Sequence, residues 1–376
     1  MAPARLRIAF ALDLFEGVKT GGVVSAQRFV AALRERHDVT LLTSGAGTDD
    51  RVTLPRFTVP PFGGVMREMG FAFAWPSRRP IEEVLRRSDL VHVQFPFWLG
   101  VRTTALAKRL GTPIVAAAHV QPENLTLNIG LRSPRLVDWT YRLFLRTVYE
   151  QADALVCPTE FARDELLRRG LRAPATVISN GIAPRFSPAA VERPARHRDR
   201  FLVLAVGRLA REKRLDVVIE GIRRSRHAAR VQLVLTGRGP EERRVRRLAA
   251  TLPLPAEVVF VSDDELLRLL RSADLLVHAS EAELEGMAVL EALGCVTPAL
   301  VADAPASAAR HLAVLPELRF APGDPADLAR RLDRLVEEPD LLARARAAAL
   351  AAAADHRLDA SVARLEAVYA SVARRR

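Results

Sequence analysis

The sequence predicts an α/β protein built from two doubly wound halves in tandem. Three observations predict it. Short apolar runs alternate with stretches of helical periodicity, the alternation stops at a segment rich in proline and arginine, and it then starts again. Apolar runs between helices are typical of parallel strands covered on both faces. With 376 residues, 49% of them hydrophobic, the chain is long enough to bury two cores of ordinary size.

The first half contains six apolar runs. The first strand is predicted over Arg7–Leu12, and the helical stretch after it opens at Gly21 and Gly22. The other five predicted strands are DVTLLT, DLVHVQF, PIVAAA, DALVC and ATVIS.

The pattern breaks at Phe186, where the sequence FSPAAVERPARHRDR has no apolar period. Five more runs follow: FLVLAV, VQLVLT, EVVFV, DLLVHA and PALVA. We therefore expect a Rossmann-like domain over residues 1–185, a linker over 186–199, a second Rossmann-like domain over 200–355, and a C-terminal helix over 356–376 that packs back on the first domain. Ligands of such sheets bind beyond the carboxyl ends of the strands, so we expect the two domains to face each other across a cleft.

The charge favours anionic partners. The formal net charge is +12, and only three of the 56 basic residues are lysine. A nucleic-acid-binding protein would cluster arginines with aromatic side chains, but here the arginines are spread out and aromatics are 6%, so no nucleic-acid partner is expected. Two cysteines far apart indicate a reducing, cytoplasmic location. Because no apolar segment approaches ~20 residues, no membrane span is expected.

Two strand ends of the first half carry candidate site residues. Gly21 and Gly22 open a helix, where paired glycines let the backbone approach an anion, although an ordinary flexible turn is an equal alternative. His119 directly follows the run PIVAAA and could act as a general acid or base, or donate to a substrate hydroxyl. A hydrogen-bonded core histidine is the alternative there, and we interpret His92 and His278 as structural.

A third strand end places cations beside the start of a helix. Gly207 and Arg208 follow the run FLVLAV, and Lys213 comes five residues after Arg208. Two such cations suit a diphosphate, since each stabilises the charge that builds up as a phosphate leaves. A solvated basic turn is the alternative, but a lysine in a chain with so few favours function.

The fourth strand end is the segment EAELEGMAVLEALG. Gly286 breaks the run, so the helix is predicted to begin near Met287 and to offer its first backbone N–H groups to phosphate. Glu283 lies before this helix and Glu291 about one turn inside it, among apolar residues. A desolvated carboxylate needs hydrogen bonds, which the paired hydroxyls of a ribose would provide. An ion pair with an arginine is the alternative.

Two further patterns are negative. The segment GRGPEE has no dinucleotide-fingerprint spacing, so NAD is not expected. The sequence has no Asp-x-Asp motif and no His/Cys cluster, so we expect no metal and no cofactor.

Four segments together resemble the signatures of GT-B glycosyltransferases of family 4. They are VISNGIAPRFSP, VGRLAREKRLDVVIEGI, LVLTGRGP and SEAELEGMAVLEALG, in that order. The spacing of Glu283 and Glu291 matches the Glu-x7-Glu motif of that family, and TGGV and the histidine of AAAHVQPEN resemble its N-terminal loop and strand-end histidine. The resemblance covers nearly the whole chain. It implies retaining transfer from a UDP- or GDP-linked sugar, without metal.

The resemblance also implies a role for each matching residue. Arg208 and Lys213 would hold the donor diphosphate, Glu291 the ribose and Glu283 the sugar hydroxyls. Backbone contacts would come from Gly286, Met287 and Ala288, while His119 would lie near the reacting carbon and Gly21 and Gly22 would line the phosphate and acceptor side. The chain departs from the family in two places: Val296 stands where glycine is common, and Glu285 adds an acid beside the donor sugar.

The acceptor is open at this stage. The aromatic and basic segment Leu131–Gln151 is predicted to be helical and could lie on the anionic inner face of a membrane and collect a lipid or glycan acceptor. The alternative for this segment is a helix that packs on the protein and exposes its arginines to solvent. The alternative for the acceptor is a small soluble molecule. A sugar-nucleotide epimerase or a phosphorylase of the same fold is the alternative activity.

Overall fold

A computed structural model describes residues 5–16, 20–45, 50–58, 72–128 and 130–373. It divides into two compact units. Unit 1 comprises residues 1–122, 132–180 and 359–376, and unit 2 comprises residues 123–131 and 181–358. The predicted α/β class with two doubly wound halves is confirmed. Residues 17–19, within the predicted loop before the glycine pair, lie outside the described residues.

Unit 1 is built on a seven-stranded parallel sheet in the order β3-β2-β1-β6-β7-β8-β9, and β4 and β5 form a separate antiparallel pair. The sheet's central strands are short apolar runs whose side chains are all buried, as expected for strands covered on both faces. The strands are β1 (Arg7–Leu14), β2 (Asp38–Ser44), β3 (Arg51–Leu54), β4 (Arg56–Phe57), β5 (Phe73–Ala74), β6 (Leu90–Val93), β7 (Ile114–Ala117), β8 (Ala154–Cys157) and β9 (Ala175–Val177).

Polar caps begin two of the helices in this half of the chain. Ser133 accepts a hydrogen bond from the Leu136 amide, and Thr159 accepts one from the Ala162 amide. The helices are α1 (Gly21–Arg34), α2 (Arg78–Arg87), α3 (Trp98–Leu110), α4 (Pro122–Asn128), α5 (Pro134–Thr147) and α6 (Glu160–Leu167). Most of α4 is grouped with unit 2.

Unit 2 contains a six-stranded parallel sheet in the order β12-β11-β10-β13-β15-β17, and β14 and β16 form a second, two-stranded sheet. The strands are β10 (Phe201–Val206), β11 (Val231–Thr236), β12 (Glu257–Val259), β13 (Leu275–His278), β14 (Ala282–Glu283), β15 (Ala299–Ala302), β16 (Ala306–Ser307) and β17 (Arg319–Phe320). The helices are α7 (Leu215–Arg224), α8 (Glu242–Ala249), α9 (Asp263–Ser272), α10 (Met287–Gly294), α11 (Pro325–Glu337) and α12 (Pro339–Ala353).

Two segments connect or complete the units. Residues 186–200 form no strand or α-helix and contain one 3-10 turn, Ala195–His197. The last helix, α13 (Leu358–Ala373), belongs to unit 1 from residue 359 onward. Within the described ranges, no helix combines the length and apolar character that crossing a bilayer requires.

Candidate functional site

The end of β10 positions the first cation of the site. The strand stops at Val206, and the Arg208 side chain that follows pairs with Glu212, with 2.7 Å between Nη2 and Oε1. Glu212 is buried, and its second oxygen has no hydrogen-bond partner among the described residues. A buried carboxylate of this kind fixes the arginine head in one place.

Close backbone contact explains the glycines of the segment TGRGP. A Cβ at Gly237 would lie 1.9 Å from the Gly207 carbonyl oxygen, and one at Gly239 would lie 2.3 Å from the Leu209 carbonyl oxygen. The Leu209 amide also donates a hydrogen bond to the Arg238 carbonyl, at 2.9 Å. These glycines therefore hold the loop that carries Arg208, a role the sequence did not reveal.

The second cation pairs with a predicted sugar-binding acid. Lys213 ends a 3-10 turn, and its Nζ lies 2.5 Å from Oε2 of Glu283, which is 70 residues away in sequence. Both side chains are about four-fifths buried, at 20% and 19% exposure. The structure thus brings together two candidate residues that the sequence had assigned to different parts of a donor.

Glu283 remains ionised because of its neighbours. Burial alone would raise its pKa, but the Lys213 ammonium and the His278 imidazole outweigh burial and hold the pKa well below its usual range. His278 Nε2 lies 3.6 Å from Glu283 Oε2, so this histidine, interpreted from sequence as structural, also contributes to the electrostatics of the site. Burial in turn lowers the pKa of His278, which leaves its ring neutral.

Two further links join the loops after β10 and β13. The Glu281 amide donates to the Glu212 carbonyl at 2.8 Å, and the Arg214 guanidinium pairs with the Glu281 carboxylate. Arg214 adopts a left-handed conformation, with φ of 46°, directly before α7. The two loops are therefore fixed to each other by both backbone and side-chain contacts.

Helix α10 begins where predicted, at Met287. Gly286 precedes it with φ of 98° and ψ of 59°, and a Cβ there would lie 2.9 Å from the Ala309 Cβ. The Met287 and Ala288 amides precede the first hydrogen bonds of the helix, which run from Val289 and Leu290 to the Gly286 carbonyl, and they lie at the positive end of its dipole. Glu291 is 8% exposed on this helix, and Glu285 is also buried.

A pocket lies at the ends of β10 and β13, within unit 2. Its lining includes Gly207, Arg208, Lys213, His278 and Ser280. The Ser280 hydroxyl is buried and has no hydrogen-bond partner among the described residues. A pocket with two cations and a hydroxyl group in its wall is suited to a phosphate group.

The remaining three candidate residues lie in unit 1. Gly21 and Gly22 are the first residues of α1, and a Cβ at Gly22 would lie 3.4 Å from the His119 Cβ. His119 follows β7 and is partly buried, and burial lowers its pKa to about 4. At neutral pH it is therefore an uncharged hydrogen-bonding group.

No group of three or more His, Cys, Asp or Glu side chains within the described ranges is arranged to hold a metal ion. The side chains that line the pocket of unit 2 include two basic ones, Arg208 and Lys213.

The outward face of α5 is both aromatic and basic. Trp139 is 60% exposed and Leu143 is 39% exposed, one turn apart. Exposed arginines flank them at positions 135, 142 and 146. Tyr141, Phe144 and Leu145 are buried on the opposite face. A helix predicted within Leu131–Gln151 is found over the shorter range Pro134–Thr147, and its outward face exposes two large apolar side chains.

Two protein-family models match the chain, one on each half. The family described as Glycosyltransferase Family 4 matches residues 19–186, and that described as Glycosyl transferases group 1 matches residues 188–351.

Two characterised relatives illustrate the similarity. The chain is 27% identical over 233 residues to alpha-monoglucosyldiacylglycerol synthase of Streptococcus pneumoniae, covering 56% of this chain and 51% of that protein. It is 28% identical over 344 residues to the GDP-mannose-dependent alpha-(1-6)-phosphatidylinositol dimannoside mannosyltransferase of Mycobacterium tuberculosis, covering 87% of each chain.

The fold is also found among solved structures. The crystal structure of Anabaena HepE in complex with UDP and glucose matches with a TM-score of 0.76 at 18% identity, covering 98% of this chain and 100% of that one. At this level of identity the match establishes the fold.

Proposed function

The chain belongs to the family 4 glycosyltransferases with the GT-B fold, and we propose that it transfers a sugar, with retention of configuration, from a UDP- or GDP-linked donor to a hydroxyl group of a membrane lipid. As a glycosyltransferase it is an enzyme, and a nucleotide sugar is its co-substrate. The retaining outcome and the choice of donor follow from the family resemblance of the motifs in unit 2.

The observation that carries the proposal is the pocket with Arg208 and Lys213 in its wall. Two fixed cations would stabilise the negative charge that builds up on a leaving nucleoside diphosphate, and preorganised charges do so without rearrangement. The amides at the start of α10 add a third positive region. We therefore propose that the reaction needs no metal ion, because the protein itself supplies the positive charge.

Two acids of the motif have separate roles in this proposal. Glu283 is ionised and would accept hydrogen bonds from the sugar hydroxyls, sharing the Lys213 ammonium with the diphosphate. Glu291, nearly buried on α10, would accept two hydrogen bonds from a ribose. Glu285, which is buried beside them in the motif, would restrict which donor sugar fits.

The acceptor is proposed to be a lipid. One relative is named as the synthase of a glucosyldiacylglycerol, and another as a phosphatidylinositol dimannoside mannosyltransferase. The outward face of α5, with Trp139, Leu143 and three arginines, is suited to an anionic bilayer surface. We propose that the protein binds peripherally at the cytoplasmic face of the membrane through this helix.

A mass-spectrometric screen tests the proposed reaction. UDP- and GDP-linked sugars are incubated with vesicles of anionic lipid or with soluble sugars and inositol phosphates, with and without EDTA. We expect a glycolipid product and release of nucleoside diphosphate only when acceptor vesicles are present. Sugar isomerisation without acceptor would indicate an epimerase instead, and loss of activity in EDTA that Mg²⁺ or Mn²⁺ restores would refute metal independence.

Vesicle sedimentation tests the membrane surface. The protein should sediment with phosphatidylglycerol vesicles and be released by salt, since surface charges are screened beyond about 10 Å at roughly 0.1 M. Arg142→Glu on α5 should weaken this binding, whereas Arg247→Glu, a charge reversal at an exposed site on α8, should not. Equal binding to neutral vesicles would contradict the electrostatic part of the proposal.

A further inference from the structure

A buried hydrogen bond joins the last helix of the chain to the sheet of unit 1. The hydroxyl of Tyr369 on α13 lies 2.8 Å from Nδ1 of His92 on β6, 277 residues earlier in the sequence. The two rings also meet edge to face, with centroids 5.9 Å apart, and both side chains are buried. This contact is specific, since a phenylalanine at 369 would fill the space but leave the imidazole nitrogen without a donor.

The series of hydrogen bonds continues from His92 to the glycine turn, the first turn of α1 at Gly21 and Gly22. His92 Nε2 lies 3.0 Å from Gln94 Oε1, and Gln94 Nε2 donates to the Gly22 carbonyl at 2.9 Å. Because a carbonyl only accepts, the Gln94 NH₂ group must face Gly22, and its oxygen must face His92. His92 Nε2 therefore carries the proton, and Nδ1 accepts from Tyr369.

This tautomer remains fixed over a wide pH range. Burial lowers the pKa of His92 to about 3, so the ring is neutral wherever the protein is expected to work. Phe10 stacks on the imidazole, with centroids 4.3 Å apart and an interplanar angle of 12°. Both the protonation and the orientation of His92 are therefore determined by its surroundings.

This series of hydrogen bonds ends at Gly22, beside the other candidate site residue of unit 1, His119. At Gly22 a Cβ would lie 2.8 Å from the Phe95 ring and 3.4 Å from the His119 Cβ, so the first turn of α1 packs closely against both residues. A shift of the Gly22 carbonyl would therefore be passed on to His119. The side chains between Tyr369 and Gly22 are positioned to prevent such a shift.

We propose that Tyr369, His92 and Gln94 are positioning residues, through which α13 holds the glycine turn and the adjoining His119 in the arrangement that turnover requires. The proposal rests on the proposed function for its effect on turnover. Its structural part, the coupling of α13 to the first turn of α1, is independent of any substrate.

Hydrogen exchange tests the coupling. The amides of Val23 and Val24 bond to the Thr20 carbonyl in the first turn of α1 and report its opening. Losing one buried hydrogen bond should speed their exchange by about two- to tenfold in Tyr369→Phe and in Gln94→Met. The matched control is Tyr149→Phe, since Tyr149 is also buried in unit 1 but its hydroxyl has no hydrogen-bond partner among the described residues.

Turnover tests the consequence. We expect Tyr369→Phe and Gln94→Met each to lower kcat by about two- to tenfold, with an unchanged Kd for UDP or GDP. The two effects should not add, because both variants break the same series of hydrogen bonds. Tyr149→Phe should retain normal kcat. If Tyr369→Phe and Gln94→Met only lower the melting temperature and leave kcat unchanged, the residues are merely structural and the proposal is wrong.

The two measurements separate this inference from the proposed function. Unchanged exchange at Val23 and Val24 in Tyr369→Phe, or equal acceleration in Tyr149→Phe, would overturn the coupling whatever the enzyme does. The wild type could instead lack transferase activity while Tyr369→Phe and Gln94→Met still speed exchange at Val23 and Val24. That result would support the coupling and refute the proposed transferase activity.

Discussion

The two units share a doubly wound fold but differ in the ionisable groups at their strand ends. In unit 2 oppositely charged side chains lie in close pairs, Lys213 with Glu283 and Arg208 with Glu212, beside the neutral ring of His278. In unit 1 burial suppresses charge: the pKa of His119 falls to about 4, and that of Asp13 rises to about 7. Asp13 is fully buried, and one of its oxygens accepts from the Ala74 amide at 3.2 Å.

The difference agrees with the chemistry proposed for each unit. A diphosphate is highly charged, and a site for it needs cations that are already fixed in place. Sugar and lipid hydroxyls are neutral, so an uncharged hydrogen-bonding group such as His119 of unit 1 is able to bind them. The same sheet architecture can serve both ligands because the neighbours of each strand end, and not the strands, set its electrostatics.

The largest expected effect is in unit 2, at Lys213. Lys213→Met should lower kcat by about 100- to 1,000-fold, because a preorganised charge on the leaving diphosphate is lost. Steady-state kinetics on the purified variant measure the change. Lys108→Met, at an exposed lysine on α3, is the matched control and should be silent.

A second variant separates catalysis from stability at the same site. Lys213→Met alone leaves the Glu283 carboxylate without its ammonium partner and should lower the melting temperature. Adding Glu283→Gln should restore the melting temperature but not kcat. Near-normal turnover in Lys213→Met would refute the assignment of the diphosphate site.

In unit 1 we expect a pH-dependent effect at Asp13. Between pH values of about 4 and 7 the folded state holds a proton that the unfolded state has lost, so this group lowers stability as pH rises. Asp13→Asn removes that dependence. The stability gained by the variant should therefore be about 2–3 kcal/mol larger at pH 8 than at pH 5.

Urea unfolding at the two pH values measures the Asp13 effect. Asp199→Asn, at an exposed carboxylate, should show little change in stability between them. If Asp13→Asn gives the same stability difference at both pH values, Asp13 is ionised in the folded state, and the contrast between the units fails.

A variant of Glu291 tests whether this buried carboxylate of unit 2 binds a ligand or stabilises the fold. Glu291→Gln should weaken nucleotide binding by roughly ten- to a hundredfold, because a charged hydrogen bond contributes on the order of 1.5–3 kcal/mol. Calorimetry gives the Kd and thermal melting the stability. A large fall in melting temperature with unchanged nucleotide affinity would mean that Glu291 is a structural ion-pair member.

The smallest expected effect is at Val296. This β-branched residue has φ of 63° just after α10, in the left-handed region that favours glycine. Val296→Gly should therefore stabilise the protein by about 1 kcal/mol, which urea unfolding would detect. A loss of stability would mean that packing of the valine side chain outweighs the backbone strain.

The pattern of apolar runs was sufficient to predict the fold, because parallel strands covered on both faces have few other sequence solutions. Arg208, Lys213 and Glu283 could be proposed from their places at strand ends and from the family motif. The start of α10 at Met287 was predicted because Gly286 interrupts the apolar run. Local sequence carries these signals.

The pairings between distant residues could not be predicted. Lys213 meets Glu283 across 70 residues, and Tyr369 meets His92 across 277. Neither spacing has a local pattern, and the chain's many arginines offered Glu283 numerous other partners. The role of His278 was missed for the same reason, since a histidine at the end of a buried strand is usually structural.

Calorimetric titration with a nucleoside diphosphate and its parent nucleoside tests the central claim most directly, which is that unit 2 keeps paired charges for a diphosphate. UDP is compared with uridine, and GDP with guanosine, on the wild type and on Lys213→Met/Glu283→Gln. One of the two diphosphates should bind the wild type far more tightly than its nucleoside, and the double variant should lose roughly ten- to a hundredfold of that preference while nucleoside binding stays the same. Equal affinity of the wild type for diphosphate and nucleoside, or a preference that survives in the double variant, would contradict the account.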